Sequence, residues 1–238
     1  MPADNRPRRV VTDRRGGRSA PPYDSFDLAT HVGDDPVDVA ANRERLAREL
    51  GVGAERLVWM DQVHGAGVRV VDGPVEAPMP ATDGLVTATP GLLLCVLVAD
   101  CVPVLLADRA AGVVAAVHAG REGLRAGVVP AALRAMREIG ASAAGTEALL
   151  GPAVCGACYE VPRAMQAEVA RAAPAAAVRT RRGTPGLDLR AGLAQQLAHA
   201  GVASVVHDAR CTVEDRRLFS HRRDGVTGRQ AGVTWLSP

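Results

Sequence analysis

Three apolar runs, at residues 57–60, 92–99 and 113–117, each have the length of a buried strand, and each ends at a side chain with chemistry to offer. The first runs into Asp61-Gln62-Val63-His64-Gly65, the second into Asp100-Cys101 and the third into His118-Ala119-Gly120. Strands that share a sheet, or lie in facing sheets, can bring such ends to one point. The expectation is a β core whose strand ends can converge in that way, with the remaining segments covering it.

Those segments carry helix signals. Asp35-Pro36 opens a stretch in which Val39, Leu46, Ala47 and Leu50 recur at helical spacing, with proline suited to the first turn and Gly51 to the stop; this predicts a helix over 36–50. Further helices are predicted over 121–139, closed by Gly140 with Pro130 as a dividing point, over 162–172 and over 188–200. Strands follow at Val205-Val206 and over 233–236. The polar residues 1–9 read as a disordered tail, which leaves 10–238 as the folded part. Strands and helices without strict alternation favour an α+β fold over a doubly wound one.

Composition narrows the chemistry. All 28 Lys-or-Arg positions are arginine, so a Schiff-base lysine, a pyridoxal-phosphate anchor and a P-loop lysine are excluded. The formal net charge of +2, with both signs spread along the chain, gives no field that points to nucleic acid or membrane, and a small neutral or anionic ligand fits better. Five cysteines, an odd number without a dense even framework, predict reduced thiols. There is no apolar segment of signal-peptide length at the start, and Asp100 and Asp108 interrupt the longest apolar stretch. The expectation is a cytoplasmic protein with no obligate protein partner.

His64, Cys101 and His118 would together supply a catalytic zinc set, two imidazoles and a thiolate with a fourth position open to water or substrate. Asp100 or Asp61 would orient the ligands from behind. Spacing alone leaves this beside a plainer reading, in which residues at strand ends serve packing.

The order of short motifs adds to it. Thr12-Asp13-Arg14-Arg15-Gly16-Gly17, His31-Val32-Gly33-Asp34-Asp35, Gln62-Val63-His64-Gly65 and Thr82-Asp83-Gly84-Leu85-Val86 are followed by Ala99-Asp100-Cys101-Val102-Pro103 and His118-Ala119-Gly120. Gly151-Pro152-Ala153, Cys158-Tyr159-Glu160-Val161 and Arg222-Arg223-Asp224-Gly225-Val226-Thr227-Gly228-Arg229 complete the series. The ordered set resembles the multi-copper polyphenol oxidoreductase, or laccase-like, family, now regarded as zinc-dependent purine nucleoside phosphorylases and also called peptidoglycan editing factors. The resemblance runs over essentially the whole chain. It implies one domain of packed mixed β-sheets flanked by helices, a fold shared with deamidating bacterial toxins.

The resemblance further implies one zinc ion, with copper as the alternative, on His64, Cys101 and His118. The implied reaction is phosphorolysis of adenosine, inosine, guanosine and methylthioadenosine, with hydrolytic deamination of adenosine, so the partners are a purine nucleoside and phosphate. Cys101, His118, Asp83 and Asp100 are the catalytic candidates, the two carboxylates for proton handling. Arg14, Gln62, Arg222 and Arg229 are the substrate-binding candidates, arginine forks being suited to phosphate.

Departures from the family pattern are local. Arg121-Glu122 stands where the family has Trp-Arg, so an aromatic and an anion-binding group are exchanged for a guanidinium and a carboxylate that would repel phosphate. Cys155-Gly156-Ala157-Cys158 replaces a double cysteine. Such a pair can be half of a structural zinc site or a redox couple, but no second Cys-x-x-Cys exists to complete the first reading. Competing functions are a metal-independent Cys101–His118 hydrolase, a non-catalytic peptidoglycan editing factor and a copper phenol oxidase, the last poorly served by three ligands. A zinc nucleobase deaminase of the usual pattern is excluded because no histidine begins a His-x-Glu.

Overall fold

The computed structural model describes residues 6–237. Its centre is built from β5 (Leu93–Val98), β6 (Val102–Asp108) and β7 (Val113–Ala119), in which every residue is buried. Successive side chains of a strand point to opposite faces, so a continuous apolar run fits only where both faces are covered. β5 lies in a four-stranded sheet with β1 (Pro7–Val11), β2 (Leu57–Val58) and β12 (Gln230–Leu236), in the order β1-β12-β5-β2. β6 and β7 lie in a six-stranded sheet with β3 (Val68–Val70), β4 (Gly84–Thr87), β8 (Thr146–Leu150) and β11 (Ser204–His207), in the order β11-β8-β6-β7-β4-β3. Parallel pairs (β2 with β5, β3 with β4, β11 with β8) mix with antiparallel ones.

The alternation assigns each face. Leu94, Val96 and Val98 pack with Leu105, Ala107, Val114 and Ala116 in the layer between the sheets. Leu93, Cys95 and Leu97 turn outward, to Phe26, Trp59 and the Leu46 face of α1 (Pro36–Glu49). Val104, Leu106, Ala115 and Val117 turn to the opposite outside. There they meet α2 (Arg121–Ala126), α3 (Val128–Glu138), α4 (Arg163–Ala172) and α5 (Leu189–His199). A hairpin of β9 (Ala177–Arg179) and β10 (Pro185–Leu187) and a single helical turn, α6 (His221–Asp224), complete the fold. The architecture is thus the expected α+β domain of packed mixed sheets flanked by helices.

The predicted elements appear with shifts that have local causes. Asp35 caps α1, its carboxylate accepting from Val37 N at 2.8 Å, and Gly51 leaves the helix at φ 76°. The 121–139 segment is divided at Gly127, not Pro130: glycine adopts the left-handed φ of 78° that ends α2, while proline sits in the first turn of α3, where no hydrogen bond is required of it. The disordered tail expected through Arg9 does not include Pro7 to Arg9, which pair with Thr234 to Leu236; the part of that expectation covering residues 1–5 lies outside the described residues. Pro103 is tolerated inside β6 because it lies one residue beyond the partnered end of β8 at Leu150, and its carbonyl accepts from Gly151 N. Among the described residues no helix is long and apolar enough to cross a membrane.

Candidate active site

The chain passes from one sheet to the other at Ala99-Asp100-Cys101, between β5 and β6. Asp100 makes this turn at φ 98°, a conformation side-chain-bearing residues rarely adopt, and its carboxylate holds it there. Oδ1 accepts from Thr212 Oγ1 at 2.6 Å and Ser220 Oγ at 2.7 Å, and Oδ2 from Arg222 N at 2.6 Å. Cys101 follows, half-buried, at the start of β6.

His118 projects from β7, the neighbour of β6, and is buried. His64 arrives on the loop after β2, itself at φ 61°. Asp83, fully buried just before β4, ties both together. It meets His118 Nδ1 at 2.8 Å, and its two oxygens accept from His64 N at 2.9 Å and Gly65 N at 2.7 Å. The donor atoms of His64, Cys101 and His118 all fall within 4.8 Å of one another, and the two imidazole rings are edge-to-face with centroids 4.7 Å apart. Gly120 makes room for this, since a Cβ there would lie 2.9 Å from Cys101 Sγ and 3.1 Å from His64 Cδ2.

Electrostatics favour a charged pair. Burial alone would push the Cys101 thiol up, but the charge and hydrogen bond of His118, with a hydrogen bond from His64, bring it down to about 6. Burial alone would push His118 down, but Cys101 and the Asp83 carboxylate raise it to about 9. Asp83 also resists its burial: the His118 bond and the amides of Gly65 and His64 keep it below the usual carboxylate range. The thiolate is the form that a metal accepts or that attacks an electrophile. Two imidazoles and a thiolate suit a zinc-class ion, and with Nδ1 of His118 committed to Asp83, its Nε2 remains for coordination.

This trio lines a cavity of about 380 Å³, a size suited to a small organic ligand. Of the substrate candidates, Gln62, Arg222 and Arg229 line the same cavity. Gln62 is committed to structure there, its amide bonding both N and O of Leu97 at 2.8 Å. Arg229 donates to Thr227 O and Gly228 O. Arg14 is elsewhere: its guanidinium lies over the Phe219 ring and pairs with Asp24 and Asp224, because its loop packs against the 217–225 segment.

The structure places the carboxylate candidates differently from one another. Asp83, not Asp100 or Asp61, is the carboxylate bonded to the clustered donors; Asp100 accepts from Thr212, Ser220 and Arg222 of the 212–222 strap. Glu122 does not line the cavity, since it turns to Arg121 and Arg125. Arg121 does line it, as do His31, Tyr159 and His221. Tyr159, whose ring lies 5.0 Å from the Arg222 guanidinium, belongs to the Cys-Tyr-Glu-Val motif, and its place in that motif is the one sequence signal that points to it.

Comparison with known proteins agrees with this geometry. The family model described as multi-copper polyphenol oxidoreductase laccase matches residues 8–237. A protein of Mycobacterium tuberculosis named purine nucleoside phosphorylase is 58% identical over 96% of this chain and 92% of its own length. One of the same name from Streptomyces coelicolor is 58% identical over 94% of this chain and 93% of its own. Among solved structures, YlmD from Geobacillus stearothermophilus superposes with a TM-score of 0.92 at 32% identity, covering 100% of this chain and 94% of that one. The Neisseria meningitidis protein NMB0706 gives 0.89 at 34% identity, covering 100% and 97%. A match that spans both sheets and all three clustered donors leaves one conclusion: the chain belongs to the multi-copper polyphenol oxidoreductase laccase family.

Proposed function

We propose that this chain is a zinc-dependent purine nucleoside phosphorylase that acts on adenosine, inosine, guanosine and methylthioadenosine and also deaminates adenosine. The observation that carries this reading is one cavity that combines the His64–Cys101–His118 donors with the guanidinium-bearing residues Arg121, Arg222 and Arg229. The name shared by relatives at 58% identity supports it. His64, Cys101 and His118 would hold the zinc, which would supply Lewis-acid chemistry.

Everything else is asked of the chain itself. Phosphorolysis forms a bond from a phosphate oxygen to the ribose C1′ while the bond from C1′ to the purine nitrogen breaks, and the departing base takes up a proton. Arg222 and Arg121 present the planar donors that hold a phosphate and offset its charge. The Tyr159 ring, beside Arg222, offers an apolar face to the purine. Asp83 keeps His118 and the His64 backbone in place, a positioning role. Deamination adds water at the purine carbon bearing the amine and expels ammonia.

The test is chromatography of products from adenosine, with and without phosphate, beside a Cys101→Ala control. Phosphate-dependent adenine, together with inosine, both lost in the control, is the expected result. An inert wild type loaded with zinc overturns the proposal.

A second reading draws on a specific observation: Cys101, His118 and Asp83 also stand in the order of nucleophile, base and orienting carboxylate. His64 separates the two, because a cysteine hydrolase has no use for a second imidazole beside its thiol. Product formation that survives complete removal of metal by a chelator would favour the hydrolase.

A further inference from the structure

Four of the five cysteines lie outside the cavity, and the fold gathers three of them. Cys155, Cys158 and Cys211, with Glu214, have their sulfur and carboxylate donor atoms all within 4.8 Å of one another. Sequence presents only one Cys-x-x-Cys, yet the structure sets Cys211-Thr212-Val213-Glu214 beside it with the same spacing. Both halves form the same turn. Cys158 N and Tyr159 N donate to Cys155 O at 2.9 and 3.0 Å, and Glu214 N and Asp215 N donate to Cys211 O at 3.1 and 2.8 Å. The halves are joined by a bridge between Ala153 and Cys211 and by Cys155 N donating to Cys211 Sγ at 3.3 Å.

We infer that Cys155, Cys158, Cys211 and Glu214 form a second, structural zinc site, separate from the cavity. Paired turns that each offer two donors at a three-residue spacing, with a backbone amide directed at a sulfur, form a clip in which all four ligands are chain groups and no position is left for substrate. At a zinc–sulfur distance of about 2.3 Å, tetrahedral geometry places sulfurs roughly 3.8 Å apart, so the cluster needs only a small contraction. Three thiolates select a thiophilic ion over magnesium or calcium. Arg181, in contact with Glu214, offsets part of the anionic excess that such a set carries. A disulfide between Cys155 and Cys158 would use only two of these four groups.

The clip sits behind the cavity wall. One turn leads directly into Tyr159; the other contains Thr212, whose hydroxyl holds Asp100. The inference stands whether or not the cavity is a nucleoside site.

Metal analysis of purified full-length protein tests it, because two single variants report on two sites separately. Wild type is expected to hold two equivalents of zinc per chain. Cys101→Ala is expected to retain one, and Cys158→Ser to lose the other. Cobalt loaded into Cys101→Ala should give intense thiolate-to-cobalt charge-transfer absorption, which decides the matter even if Cys158→Ser does not fold. Loss of all zinc from Cys101→Ala, absence of that absorption, or a Cys155–Cys158 disulfide found by mass spectrometry of freshly purified protein overturns the clip. Failure of the cavity site alone would look different: Cys101→Ala would match wild type at one equivalent, and Cys158→Ser would hold none.

Discussion

Asp83 Oδ1 lies 2.8 Å from His118 Nδ1 and also accepts the backbone amide of His64, so one carboxylate fixes two of the three clustered donors. Asp83→Asn keeps the shape but replaces one acceptor oxygen by an amide and removes the negative charge that favours a basic His118. Metal affinity measured by chelator competition should fall by roughly 10–100-fold, with the fold retained by circular dichroism. Unchanged affinity would mean that Asp83 is a core residue and no more.

Gly120 offers a substitution that acts on the site with little backbone cost. Its φ of −82° suits any residue, but an added Cβ would press on Cys101 Sγ at 2.9 Å. Gly120→Ala should unfold within a few degrees of wild type and lose most product formation. A fully active variant would show that the thiol can move aside without consequence.

The Arg121-Glu122 pair separates into two roles. Arg121→Ala should raise KM for phosphate several-fold with a smaller change in kcat, the signature of lost ground-state binding. Glu122→Gln should change both less than Arg121→Ala does, because Glu122 does not line the cavity and acts there only through its ion pair with Arg121, keeping Arg125 as a second partner. Steady-state kinetics with varied phosphate distinguishes them, and equal effects of the two substitutions would contradict the placement.

Asp27 predicts a pH dependence of stability. Burial pushes its carboxyl up to about 6, despite the amides of Ala29 and Arg229 on Oδ1, and the nearby Asp34 adds to the rise. The folded chain therefore holds this proton more tightly than the unfolded chain, whose aspartates titrate at about 3.9. The stabilisation is complete below that value and is lost as pH rises through about 6. Asp27→Asn should remove this slope and raise stability at neutral pH by on the order of 3 kcal/mol, read from urea midpoints at several pH values. A slope that persists in the variant would assign it to another group.

How much of the molecule is legible in its sequence depends on whether the cause is local. The 57–60, 92–99 and 113–117 runs announce their strands, and their ends do meet, because an unbroken apolar run is explained by burial alone. β6 is harder to see, since Pro103 argues against a central strand until the neighbouring strand is known to stop short of it. The donors stand out through motif order, whereas Arg14 lies in a motif of the same series and still faces Phe219, because a motif does not say which way a side chain turns. Sequence points to Asp83 as a proton carrier and not as an orienting group, since its partners, 35 residues away at His118 and 19 away at His64, exist only in the fold. Cys211 and Glu214 have no local signal at all, as 56 residues separate each from its counterpart in the other turn.

The crossing at Asp100 gives the inter-sheet layer a say in the chemistry. Cys101 and His118 are carried by the six-stranded sheet, while His64 hangs from the end of a strand in the four-stranded one. The spacing of His64 from the other two donors therefore depends on how the two sheets pack, with Asp83 tying the His64 loop to the six-stranded side. Repacking Val96 against Leu105, neither of which lines the cavity, is a route by which that spacing can change while every residue lining the cavity stays the same.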